Sequence, residues 1–183
     1  MNKLKNFLTE YILLTLYNTL VLPHLSYGIL LWGCQINRLE RLQKKIVRII
    51  THSKYNAHTE PIFKKLSILK VSDLKVLHEL KFCYQLENNN LPRYFHNSLF
   101  KRLSSLHSYN TRHSQNYQIP KIKHSFMKNS LRYRIPFIFN SSPTIITEKI
   151  HTHSFSGFKK YVKMYHLKLY NEQCQIDNCY ICQ

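Results

Sequence analysis

The chain is short of acid. Its 183 residues carry nine Asp and Glu against 27 Lys and Arg, a formal net charge of +18. Only two are aspartates, Asp73 and Asp177, far apart and each alone. Nucleotidyl transfer by two divalent metals needs clustered carboxylates, so no such centre is expected here. Glycine is scarcer still. Three Gly provide neither a phosphate-cradling loop nor a Gly-x-Ser-x-Gly elbow, and they argue against a turn-rich all-β fold. Eleven His offer spare bases, yet His151-x-His153 has no nearby carboxylate to complete a hydrolytic site. No catalysis is therefore expected of this chain alone, and neither a cofactor nor a small-molecule substrate. Five Cys is an odd number. A secretory signal is missing: Glu10 follows Lys3 and Lys5, and no small-residue cleavage site closes the apolar run behind them. A disulfide-built secreted fold is not expected; an intracellular protein, nuclear or cytoplasmic, is.

What is present is a long uncharged stretch in a basic chain. Tyr11 to Asn37 contains no Asp, Glu, Lys or Arg. Within it, LPHLSYGILLWG (Leu22 to Gly33) holds the only Trp, Trp32, and two of the three Gly, Gly28 and Gly33. Such a segment has to be buried in a core or a membrane. Leu4, Leu8, Tyr11 and Leu14 recur near helical spacing, and Pro23 disfavours helical angles at Leu22. The spacing predicts a buried helical hairpin, its turn near Val21 and Leu22 and its second helix opened by Pro23 and closed by Gly33. The same stretch, residues 11–33, is long enough to cross a bilayer, with the basic remainder in the cytoplasm. Asn18, Thr19, Pro23, His24 and Ser26, at what would be the membrane centre, count against a span.

LYNTLVLPHLSYGILLWG (Leu16 to Gly33), followed by LERLQKKIVRII (Leu39 to Ile50), resembles the start of the thumb of non-long-terminal-repeat retrotransposon reverse transcriptases, the LINE-type or jockey-like family. Downstream, Tyr109 to Pro143 resembles that family's late block, which ends in Trp-Asn-x-x-Pro; Phe139 stands where Trp is usual. The resemblance covers nearly the whole chain. It implies the C-terminal thumb and post-thumb part of an RNA-directed DNA polymerase, clamping RNA template and growing DNA. The family's Tyr-x-Asp-Asp motif is absent, so catalysis and its magnesium are expected only in a palm domain missing from this sequence.

The charge pattern agrees with a polyanionic partner, RNA or DNA. On a helix over Ile36 to Thr51, Leu39, Leu42, Ile46 and Ile49 or Ile50 form an apolar stripe. Arg38, Arg41, Lys45 and Arg48 form a second stripe able to track a phosphate backbone, and Glu40 can pair with Lys44. A short helix enters through Thr59. A longer one runs from an N-cap at Ser72 to Glu87, with Leu74, Leu77, Leu80 and Tyr84 inward and Cys83 and His78 packed. The Asn88 to Asn90 run and Pro92 end it. Asn88 to Thr147 is free of acid and interleaves nine Lys or Arg with nine aromatics, a composition suited to a nucleic-acid strand. Its candidate contacts are Arg112, Lys121, Lys123, Arg132 and Arg134, with Tyr109, Tyr117 and Tyr133, while Phe126, Phe137 and Phe139 look packed. Ser104 to Gln118 reads as an extended loop, Ser125 to Phe139 as a helix broken near Pro136, and Ser154 to Asn171 as the last helix.

Cys174, Cys179 and Cys182, with His166, are weak candidates for zinc, since Cys-x-x-Cys is a common half-site but the order does not match a retroviral knuckle. The prediction is an all-α protein: a helical hairpin plus several further helices, with a long basic loop and an irregular C-terminal tail. It divides into a thumb-like helical region (1–88), a basic, aromatic-rich region (89–171) and a Cys-containing tail (172–183). Two other classes stay open: a membrane-anchored basic protein, and a small chromosome- or RNA-associated binding protein without polymerase ancestry.

Overall fold

The computed structural model describes residue 3 and residues 5–32, 36–106, 109 and 112–171. Among these it is all-α. The helices are α1 (Glu10–Leu16), α2 (Leu22–Ser26), α3 (Ile29–Trp32), α4 (Ile36–Ile50), α5 (Glu60–Lys65), α6 (Val71–Glu87), α7 (Leu131–Ser141), α8 (Thr144–Thr152) and α9 (Phe155–Lys168). Strands are absent among the described residues; an isolated antiparallel bridge joins Arg102 and Tyr117. The chain forms two compact units. The first takes the described residues of Met1–Ile29, Gln35–Lys75 and Lys163–Gln183, the second those of Leu30–Cys34 and Val76–Val162.

The turn expected at Val21 and Leu22 is not there. A π-helical turn, Tyr17–Val21, joins α1 to α2, and Leu22 keeps helical angles. The wider turn lets the Leu22 N–H bond to the Tyr17 carbonyl, five residues back. Pro23 then stands in the first turn of α2, directly after the wider π-helical turn. The chain breaks instead at Tyr27, which is extended, and at Gly28, whose φ of 61° suits glycine.

Helix ends elsewhere manage without glycine. α4, α5 and α6 close on His52, Ser67 and Asn89, each with φ near 55°. In each case the following residue donates to a carbonyl five positions back: Ser53 to Arg48, Ile68 to Phe63, Asn90 to Gln85. These are Schellman closures, and the Asn88 to Asn90 run ends α6 as its sequence predicts.

The first unit is organised on a buried glutamine. Gln43 Nε2 donates to Tyr17 Oη at 2.9 Å and to the Leu69 carbonyl at 2.8 Å, and Gln43 Oε1 accepts the Val71 N–H at 3.0 Å. Burial raises the Tyr17 pKa, with Gln43 opposing the shift. The buried stripe of α4 is thus Gln43, Val47 and Ile50, and Leu42 lies 51 % exposed, a rotation from the expected apolar stripe. Glu40 Oε1 accepts the Ser72 N–H at 3.3 Å. Side chains of α4 therefore satisfy the first amides of α6; Ser72 lies inside that helix rather than capping it, and Glu40 is drawn away from Lys44. Tyr170 Oη accepts the Lys70 N–H and donates to Asp73, and Phe63 packs edge-on to the Tyr170 ring. Burial first, then the Asp73 bond, raises the Tyr170 pKa. Thr59 precedes α5 with Pro61 in its first turn, as expected.

The second unit is built on residues 76–87 of α6. Leu77, Leu80, Cys83, Tyr84 and Leu86 are buried with Ile135, Ile146, Ile150, Phe158 and Val162. An edge-to-face aromatic chain runs Phe82–Phe100–Tyr117–Phe139 with centroids 5.0 to 6.4 Å apart. Asn140 clamps Tyr117 in both directions: its Oδ1 accepts the Tyr117 N–H at 3.0 Å and its Nδ2 donates to the Tyr117 carbonyl at 2.8 Å. Phe139 and Asn140 of the late block thus fasten the end of the preceding loop. The expected break at Pro136 lies at Ser130, which is extended and precedes α7; Pro136 is buried inside the helix, where packing of its ring offsets the one amide bond it cannot make. α8 has no counterpart in the sequence prediction. Ile146 and Ile150 bury its inner side, and Ser142 and Pro143 separate it from α7. Among the described residues no helix is long and apolar enough to cross a membrane.

Candidate nucleic-acid interface

Gln43, Val47 and Ile50 turn one side of α4 inward and leave its basic side outward. Arg38, Arg41 and Lys45 are exposed and have no ion-pair partner among the described residues. Arg48, on the same stripe, is half-buried: its Nε donates to the Ala57 carbonyl at 2.8 Å, tying the turn after α4 back to the helix. Three of the four expected contacts are therefore exposed, and the fourth is half-buried with its Nε engaged.

A cavity of about 430 Å³ opens at this end of α4, lined by Lys5, Lys45, Arg48, Ile49, Ser53 and Tyr55. Lys5, Ser53 and Tyr55 are absent from the sequence-derived candidates. Tyr55 sits 85 % exposed, and only its position next to Lys54 in a polar turn hints at a role in the sequence.

In the second unit, Arg112, Lys121, Lys123 and Arg132 are exposed and unpaired among the described residues. Arg134 differs. Its Nε and Nη2 donate to the two oxygens of Glu79 at 2.9 and 2.8 Å, and the Glu79 side chain is 1 % exposed. The Glu79 bonds raise the Arg134 pKa further. Arg134 holds a buried acid and is not offered to a ligand. Arg102 does likewise for Glu87, which also accepts the Tyr117 hydroxyl. Burial and then the Glu87 bond raise the Tyr117 pKa.

The aromatics need regrouping. Tyr117 is buried, and Tyr133 stacks on Phe137 with centroids 5.9 Å apart. Phe126 is 71 % exposed, stacked on His124 beside exposed Lys121, Lys123 and Lys128, and Phe137 is 40 % exposed. Tyr109 is exposed as expected, and Phe139 is half-buried against Tyr117. Phe126 and Phe137 were expected inside because their neighbours are apolar, but the short 3₁₀ turn at Ser125–Asn129 and the register of α7 turn them outward.

Among the described residues no group of three or more His, Cys, Asp or Glu could hold a metal ion. Cys174, Cys179 and Cys182 lie outside the described residues. His166 is half-buried, its Nδ1 4.0 Å from Asp73 Oδ1 and its Nε2 buried with no hydrogen-bond partner among the described residues. Burial lowers its pKa against the opposing pull of Asp73.

No family model matches the chain, and no curated protein or solved structure matches it either.

Proposed function

We propose that this chain is a nucleic-acid-binding, thumb-like C-terminal part of a non-long-terminal-repeat retrotransposon reverse transcriptase, acting inside the cell. It clamps the RNA template and growing DNA, while polymerisation belongs to a palm outside these residues. The observation that carries the binding half is the outer side of α4. Arg38, Arg41 and Lys45 stand exposed and unpaired among the described residues, on a helix whose opposite side is locked by Gln43. Cations so placed release counterions when they meet phosphates, a gain that mobile surface lysines share but that a rigid, aligned row makes at lower entropic cost. The polymerase half rests on the Leu16 to Gly33 and Leu39 to Ile50 blocks and on the late block ending at Phe139 and Asn140.

Apolar surface along the first helices supports a missing protein neighbour. Phe7, Tyr11, Ile12 and Leu20 are between 42 % and 83 % exposed, although their segment carries no charge from residue 11 to residue 37. A palm domain is the neighbour that the resemblance implies.

Two experiments test the halves separately. Sequencing the DNA and transcript upstream of the Met1 codon should reveal an in-frame palm with Tyr-x-Asp-Asp; a promoter and untranslated leader there would contradict the polymerase reading. Binding of a labelled RNA–DNA hybrid should weaken steeply with salt. No binding even at low salt would remove the nucleic-acid reading as well.

A further inference from the structure

We propose that the cavity at the end of α4 is a subsite for one unpaired nucleotide of a nucleic-acid strand, with Lys5, Lys45 and Arg48 on its phosphate and the Tyr55 ring under its base. The proposal rests on the nucleic-acid reading above and narrows it from a charged face to a site that distinguishes single strands from duplex.

Three features place the site. The first is its size. About 430 Å³ lies within the roughly 300–1,000 Å³ of pockets that enclose a small organic group, so it accepts a nucleotide and not the width of a double helix. The second is its lining. Three cations and a serine hydroxyl meet an apolar wall of Ile49 and Tyr55, the two chemistries that a nucleotide presents. Lys45 also belongs to the exposed row with Arg38 and Arg41, so a strand following that row arrives at the cavity.

The third is the fastened turn that carries Tyr55. An aromatic ring exposed to 85 % is ordinarily carried by a mobile side chain on a mobile loop. Here the turn that carries it is fastened at both ends. The Schellman closure of α4 sets its start, with His52 in the left-handed region and Ser53 N–H on the Arg48 carbonyl at 3.0 Å. Thr51 and Ser53 share a hydroxyl bond at 2.7 Å, the Ala57 N–H returns to the Lys54 carbonyl at 3.1 Å, and Arg48 Nε grips Ala57 from below at 2.8 Å. Arg48 therefore does two things: its Nε holds the turn, and its side chain belongs to the cavity lining. A ring carried on a fastened turn stacks on a base with less backbone freedom to lose, and stacking is indifferent to base identity. Duplex bases are already stacked and cannot use it.

The test is anisotropy titration of the full chain with a labelled oligo-uridine of about a dozen nucleotides, a length matched to typical single-strand sites, and with an RNA–DNA hybrid of equal length. Tyr55→Ala should weaken the single strand about tenfold or more while changing the hybrid less than about twofold. Tyr55→Phe should retain the single-strand affinity, since the ring and not the hydroxyl does the stacking. Lys45→Ala should weaken both ligands and flatten both salt dependences. Equal losses for strand and hybrid in Tyr55→Ala, or no loss in either, would overturn the subsite while leaving the phosphate-binding face in place. Failure of the unaltered chain to bind either ligand would overturn both.

Discussion

Two arginine-bearing helices, both expected to meet phosphate, come out differently. On α4, Arg38 and Arg41 are exposed and have no ion-pair partner among the described residues. On α7, Arg134 is bound through two parallel hydrogen bonds to Glu79, an acid with almost no exposure. The difference lies in the acids. Of the seven Asp and Glu among the described residues, Glu10, Glu60, Glu79 and Glu87 pair with Lys65, Lys70, Arg134 and Arg102. Glu40 caps α6, and Asp73 accepts Tyr170. Six of these seven acids thus hold a particular partner, and the surplus of cations is what remains outside. In a strongly basic chain the question is therefore not which cations exist, but which ones an internal acid has claimed.

The largest expected effect comes from breaking the claimed pair. Arg134→Ala removes the two parallel bonds that Arg134 makes to the buried Glu79, which should destabilise the second unit by about 3–5 kcal/mol, read as a lowered urea midpoint. The charge-preserving Arg134→Lys should recover only part of this, because an ammonium cannot donate in parallel to both oxygens.

Gln43→Ala comes next and addresses the hidden side of α4. It strips partners from the Tyr17 hydroxyl, the Leu69 carbonyl and the Val71 N–H together, at a cost of about 2–4 kcal/mol in the same denaturation experiment. If α4 were merely a charged surface helix, the loss would stay below about 1 kcal/mol.

Acid adds a cation where it is not wanted. Burial, with Lys81 and Lys159 nearby, pushes the His78 pKa down to about 4. The unfolded chain, with a histidine near 6.5, binds this proton first, so stability is full above about pH 6.5 and falls as the pH drops toward 4. The loss should approach at most about 3 kcal/mol, less as solvent reaches the half-buried ring. His78→Asn should flatten the acid limb of a stability–pH curve; an unchanged limb would show that His78 titrates normally.

The smallest expected stability effects belong to the open row. Arg38→Ala, Arg41→Ala and Lys45→Ala should each move the urea midpoint by no more than about 0.5 kcal/mol equivalent. Arg48→Ala should cost more, about 1 kcal/mol, because it frees the turn at Ala57.

Much of this architecture is legible in the residues. Helical spacing in α4, α6 and α9, the Thr59–Pro61 start of α5 and the asparagine stop of α6 are local signals with local causes. The prolines mislead for the opposite reason. Whether Pro23 and Pro136 break a helix depends on a π-helical turn and on buried packing, which no local pattern reveals. The same holds for polar residues. Gln43 looks like a surface residue beside Lys44 and Lys45, and Tyr117 like a loop contact, until Val71, Glu87 and Asn140 are brought to them from distant positions. Arg134 and Arg132 are two residues apart and indistinguishable by composition; only the placement of Glu79 separates them. Tyr55 is marked in the sequence only by Lys54 beside it; that its turn is tied back to Arg48 is a contact no local pattern reveals.

The most direct test measures log Kobs against log salt for an RNA–DNA hybrid, comparing the unaltered chain with the combined variant Arg38→Ala, Arg41→Ala and Lys45→Ala. About 0.9 units of slope belong to each phosphate contact, so the variant's slope should be shallower by about 2.7, with its urea midpoint close to that of the unaltered chain. An unchanged slope from a folded variant would mean that the open side of α4 does not meet phosphate.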